Sequence, residues 1–199
     1  MYRSYNYSTS MKVFMIPARS STGVAAQGNG GGQSQGSTGA TTDYAGNWNV
    51  IPDVGGNVQI SRFSIQTITD GSSNTILVGE KSLRTDQYSP RYGWNWDETI
   101  AFGGSGGTCR GPNWDTWRNT TVNGIMTPTF SQYWNGQATT IQKDGPNIDQ
   151  GGAWGSPHTG GAHFLMGDGS VSFIRYGVDR AQFWYRLTPT GNEVVNGSF

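Results

Sequence analysis

Charge is what this sequence has least of. Only 13% of its 199 residues are charged, against roughly 25% in ordinary soluble proteins. Lys and Arg number 13, Asp and Glu also 13, and no basic run occurs. The summed field therefore offers no steering toward nucleic acid or an anionic membrane. Cysteine is almost absent. Cys109 is the single one, so no disulfide can close within the chain, and redox chemistry does not reveal the compartment. A lone cysteine with no histidine near it in sequence reads as a small buried hydrophobe rather than a nucleophile. No apolar run approaches the ~20 residues that cross a bilayer, and no signal-peptide apolar region is visible. As written, the chain is expected to be soluble, with no membrane span.

Glycine and aromatics are abundant instead. There are 31 Gly, 8 Trp and 9 Tyr, in a background rich in Asn, Ser and Thr. Such a composition describes turns and short strands beneath a polar, nearly uncharged surface, as in extracellular β-rich domains. The length suits one domain, taken as residues 1–199, large enough to bury a real core.

Residues 11–17, Met-Lys-Val-Phe-Met-Ile-Pro, read as a short strand entering a turn. Residues 20–42 are Gly/Ser/Gln-rich with no large apolar residue after Val24, so they are expected to form a flexible loop. A glycine-rich phosphate cradle fails there, because no Gly-Lys-Ser/Thr ending and no amphipathic helix follow. Ile60, Phe63, Ile65 and Ile68 suit a helical turn or two before Thr69-Asp70-Gly71. Ser73-Asn74-Thr75 then closes a side-chain-bonded turn into a buried strand, Ile76 to Glu80. Residues 88–155 hold six of the Trp, spaced by Gly, Pro and Asn, and read as a loop-rich insertion. Its aromatics either pack over the sheet or form a stacking platform for sugars.

After Trp154 the pattern tightens. Ala162 to Met166 and Ser170 to Ile174 are strand-like and flank Gly167-Asp168-Gly169, a strong hairpin signal. Val171 and Phe173 fall on one alternating face. Val178, Ala181, Phe183, Trp184 and Leu187 suit a short amphipathic helix starting near Asp179 and stopped by Pro189 and Gly191. The fold class is therefore α+β: an antiparallel sheet with a C-terminal β-hairpin, short helices and long Gly/Trp-rich loops.

Three separated blocks carry a family likeness. They are Thr69-Asp70-Gly71-Ser72-Ser73-Asn74-Thr75-Ile76-Leu77-Val78-Gly79-Glu80, then Trp154-Gly155-Ser156-Pro157-His158-Thr159-Gly160-Gly161-Ala162, then Gly167-Asp168-Gly169-Ser170-Val171. Together they resemble the bacterial family catalogued as domain of unknown function 1559, whose signature is a His, nine residues, then Asp-Gly. His158 and Asp168 have that spacing, and Leu187 to Val195 resembles the family's C-terminal end. The resemblance implies a type IV pilin-like or pseudopilin-like head, borne in relatives by a prepilin leader and a long hydrophobic helix. This chain departs from that pattern in lacking both, as a fragment, a mis-chosen start or a truncated paralogue would. It also has Ile16 before Pro17 where the family commonly places a cysteine, which would leave Cys109 without a partner.

His158 and Asp168 invite a catalytic reading, and His158, His163 and Asp168 a metal one. Neither is favoured. The spacing matches no established zinc pattern, and the sequence names no polar partner for His158. The expected roles are structural: Gly167 and Gly169 give the turn its positive φ, Asp168 caps or bonds its own backbone, and His158 ties the preceding loop to the hairpin by hydrogen bonds from its ring. A cation site drawn from His158, Asp168, Gly169, Asp70 and Asn74, with calcium as its ion, is the alternative, since Asp and Asn oxygens suit calcium. No other cofactor is expected.

The leading function is non-enzymatic: an extracellular or cell-surface head domain in a pilin-like or type II secretion assembly, with the periplasm as the alternative compartment. Its partners would be other pilin-like subunits or secretion machinery, not nucleic acid. A second reading is a glycan-binding module stacking sugars on Trp94, Trp96, Trp114, Trp117 and Trp134. A third is a metal-dependent enzyme.

Overall fold

The two strongest strand signals pair with each other in the computed structural model, which describes residues 9–26, 39–51, 64–89, 91–92, 100, 108–110, 121–122, 125–126, 140–148, 153–192 and 195. In chain order the strands are β1 (Val24–Ala26), β2 (Gly39–Ala40), β3 (Tyr44–Asn47), β4 (Ile76–Glu80), β5 (Arg91–Tyr92) and β6 (Cys109–Arg110). They continue with β7 (Thr121–Val122), β8 (Ile125–Met126), β9 (Ile141–Lys143), β10 (Trp154–Ser156), β11 (Gly161–Met166) and β12 (Val171–Arg175), before the helix α1 (Arg180–Leu187). The class is α+β: mainly antiparallel sheet with one α-helix among the described residues.

The central sheet runs β12-β11-β4-β3-β6, antiparallel except where β3 meets β6. Its middle strands are β11, β4 and β3, of which the sequence marks β4 as buried. On one face Ala45, Ile76, Ala162, Phe164, Met166 and Ile174 meet Trp154, Ile141 and the helix residues Phe183 and Leu187. Three rings lock this core: Trp154 and Phe164 lie 5.7 Å apart, Phe164 and Phe183 5.5 Å, Trp154 and Phe183 6.5 Å, all tilted or edge-on. Gly79 lies beneath them. A Cβ there would run into the Phe164 ring and Trp154 Cε3, so glycine is what lets both aromatics reach the sheet.

Asp179 starts α1, its Oδ1 accepting from the Ala181 and Gln182 N–H groups at 3.0 Å each. At the other end, the Leu187 carbonyl accepts from Nδ2 of both buried Asn47 and Asn49, at 2.9 Å each. Two side chains from β3 and the turn after it thus satisfy an orphan carbonyl of the last turn.

Several expectations change. Residues 11–17 are not a strand but parts of two 3-10 turns, Lys12–Phe14 and Pro17–Arg19. Pro17 at the first position of the second turn fixes φ and has no N–H to give a ladder. Of the apolar residues there, Ile16 is buried while Met11, Val13 and Phe14 are exposed. Ile65–Thr67 is one 3-10 turn, and Ile60 and Phe63 lie outside the described residues. Inside the stretch 20–42, β1 and β2 pair antiparallel, and residues 27–38 between them lie outside the described residues. Val171 and Phe173 do share a face, but it is the outer one. They are 66% and 38% exposed, while Ile174 takes the core side. Every Trp from Trp94 to Trp134 lies outside the described residues. No helix among the described residues is long and apolar enough to cross a membrane.

Candidate functional site

The outer face of the central sheet begins with pairing. Tyr44 stands opposite Glu80, and His163 opposite Phe173, in one row across β3, β4, β11 and β12. The His163 N–H donates to Glu80 Oε2 at 2.7 Å, which fixes the carboxylate against the strand next to its own. His163 Nδ1 then lies 3.4 Å from the same oxygen, and His158 Nε2 lies 3.3 Å from Glu80 Oε1. Good N–H···O bonds span ~2.7–3.2 Å, so both ring contacts are longer than that. The two imidazoles meet edge to face, 5.2 Å between centroids, and His163 also leans on Phe173 at 5.0 Å. Glu80 is buried, its side chain 4% exposed, whereas the rings of His158 and His163 stay 34% and 47% open.

The loop that carries His158 is fastened. Ser156 Oγ accepts from the His158 N–H at 3.1 Å and donates to the Gly161 carbonyl at 2.7 Å. The Tyr176 hydroxyl, after β12, contacts the carbonyls of Ser156 at 3.0 Å and His158 at 2.8 Å. Burial raises the Tyr176 phenol above its ordinary range, keeping it a neutral donor. One carboxylate and two imidazoles thus converge from two strands and a braced loop, with ligating atoms all within 4.8 Å of one another. Chemically, this set can hold a metal ion or share a proton.

The other half of the motif lies at the opposite end of the hairpin. Asp168 Oδ1 accepts from the Ser170 N–H at 2.9 Å and the Ser170 hydroxyl at 2.7 Å, bonds that hold its carboxyl below the usual range. Gly169, at φ 88°, closes the turn, whereas Gly167, expected to share that conformation, does not have a positive φ. The Gly167 and Asp168 N–H groups donate to the carbonyls of Thr75 and Ser72, docking the tip on the turn before β4. Asp70, in that turn, accepts from the Gly191 and Asn192 N–H groups at 2.8 Å each and so ties down the chain after α1. Asn74 Nδ2 donates to the Asp70 carbonyl. His158 at the base and Asp168, Gly169, Asp70 and Asn74 at the tip do not form one cation site, because the length of β11 separates them. The His158 ring lies 3.3 Å from Glu80 of β4 and edge-on to His163 of β11. Sequence reading named Glu80 only as the end of a strand. Its position in the first family block was the available signal.

A second polar cluster is wholly buried. Arg19 reaches Asp144 through Nε at 2.8 Å and Asp43 through Nη1 at 3.0 Å. Asp43 also pairs with Arg91 and accepts the Ile16 N–H at 2.6 Å. Asp144 takes the Leu83 N–H at 2.9 Å and the Tyr88 hydroxyl at 2.6 Å. Burial pushes the Asp43 carboxyl up, but Arg19, Arg91 and the Ile16 N–H outweigh it and hold it below its ordinary value. Two arginines and two aspartates cancel in charge. The cluster fastens the N-terminal turn to the sheet and to the strand before β10.

No curated protein and no solved structure matches the chain. A family model does, over residues 3–181, under the description "Protein of unknown function (DUF1559)". That span takes in β4 with Glu80, the loop of His158, and the whole β11–β12 hairpin with its Asp168-Gly169 tip. By this match the chain belongs to the DUF1559 family.

Proposed function

We propose that this chain is the non-enzymatic head domain of a pilin-like or pseudopilin-like assembly on the cell surface, where it contacts further subunits or secretion machinery. The observation that supports this reading best is the edge of the central sheet. Among the described residues β12 is an outer strand, and it presents Val171 and Phe173 to solvent. An outer strand carrying exposed apolar side chains is a template for pairing with another chain, and soluble monomers normally blunt such edges with charge or proline. The prepilin-type His158-x9-Asp168-Gly169 block and the charge-poor composition agree with it.

The test is immunogold labelling of cells that produce the protein, with the double variant Val171→Glu, Phe173→Glu beside the wild type. Label on surface filaments or envelope complexes, lost in the variant while the purified variant keeps its circular dichroism, is the expected result. Label confined to the cell interior, or incorporation unchanged in the variant, overturns the proposal.

A further inference from the structure

We infer that Glu80, His158 and His163 form a binding site for a divalent transition-metal ion, zinc by the chemistry of the ligands. The inference stands independently of the assembly reading. It begins from distance. A tetrahedral zinc site with bonds of ~2.0–2.2 Å places neighbouring ligand atoms ~3.3–3.5 Å apart. The two imidazole–carboxylate separations are 3.3 and 3.4 Å. They are too long for good hydrogen bonds and of the length of a coordination edge, His158 facing Glu80 Oε1 and His163 facing Oε2, so the carboxylate presents an oxygen to each ring. One ligand atom from each of the three residues lies within 4.8 Å of the others, so the half-open rings need only a small movement to close on an ion.

The ligand types agree. Two imidazoles and one carboxylate suit zinc, nickel or cobalt, whereas calcium takes six to eight oxygens. The surroundings agree as well. The His163 N–H holds the Glu80 carboxylate in place, and Ser156 and Tyr176 hold the backbone of His158, so the ligands sit on braced elements. Burial separates the roles. Glu80 contributes the negative charge from inside the protein, and the half-open histidines leave the remaining coordination positions facing water. A bound ion fastens the loop before β11 to β4 across the outer face of the sheet.

The chain contains only two histidines, so untagged, chelator-stripped protein gives a direct readout. Zinc chloride is titrated calorimetrically and by NMR, observing the two imidazole Hε1 signals, with calcium chloride as a parallel arm. One zinc per chain is expected, with both imidazole signals shifting together and the melting temperature rising. His158→Gln and His163→Gln should each lower zinc affinity by more than the ~10–100-fold that losing an outer-shell partner costs. Cobalt(II) in place of zinc should give an intense visible band, lost in His163→Gln. No zinc binding overturns the inference. So does zinc binding that leaves either imidazole signal in place, an affinity unchanged in both variants, or an equal response to calcium. The NMR arm uses wild-type protein, so the decision holds even if a variant fails to fold.

Discussion

Two clusters of charge among the described residues differ in how far their needs are met. Around Asp43 and Asp144 each carboxylate has an arginine and a backbone N–H, the charges cancel, and water has no access. Around Glu80 a buried carboxylate faces two half-open imidazoles at distances longer than good hydrogen bonds. A closed cluster whose charges pair off holds structure. An incompletely satisfied, open one has coordination to offer. The difference teaches where to look for chemistry in a domain with so few charges.

The comparison breaks most readily at the closed cluster. Asp43→Ala leaves Arg19 and Arg91 facing each other without their shared carboxylate, and breaking a buried pair costs about 3–5 kcal/mol. Urea unfolding should show a loss of that size. If Asp43→Ala costs no more than either histidine variant does in chelator, the two clusters do not differ as described.

Strand β4, which carries Glu80, rests on the packing of Gly79 beneath Phe164 and Trp154. Gly79→Ala overfills that space and should cost about 1–3 kcal/mol. It should also weaken zinc binding by shifting the strand. Retained affinity at reduced stability would show that the site tolerates movement of its base.

Acid acts on the closed cluster with a definite sign. Asp43 is held below its ordinary value, so the folded state binds that proton more weakly than the unfolded chain does. Its stabilisation is complete above the unfolded value of ~3.9. It is lost as pH falls through that value toward the depressed folded one. Acid unfolding should be visibly shallower in this window for Asp43→Asn, provided the variant folds at neutral pH.

The smallest effect is expected at the open cluster without metal. There His158→Gln and His163→Gln should change stability by no more than about 0.5 kcal/mol, as surface substitutions do. A larger loss in chelator would make the histidines a structural pin in their own right.

The tip of the hairpin could be read in advance because its chemistry is local. Asp168 bonds Ser170 two residues on, and Gly169 supplies a positive φ within the same loop. The helix after Asp179 was legible for the same reason: its cap and its apolar stripe lie within one short segment. The face of β12 was not. Alternation shows that Val171 and Phe173 share a side, and only the seating of Trp154 and α1 on the opposite side decides which faces water.

The sequence by itself determined the elements whose causes are nearest neighbours: the Asp-Gly hairpin, the turn into β4, the capped helix, and the family blocks that name the chain's kin. Only the tertiary structure brought Glu80 to His163, 83 residues away, and Arg19 to Asp144, 125 residues away. Periodicity and turn chemistry act over a few residues. A carboxylate between two imidazoles depends on strand order and register, which the packing of the whole core sets.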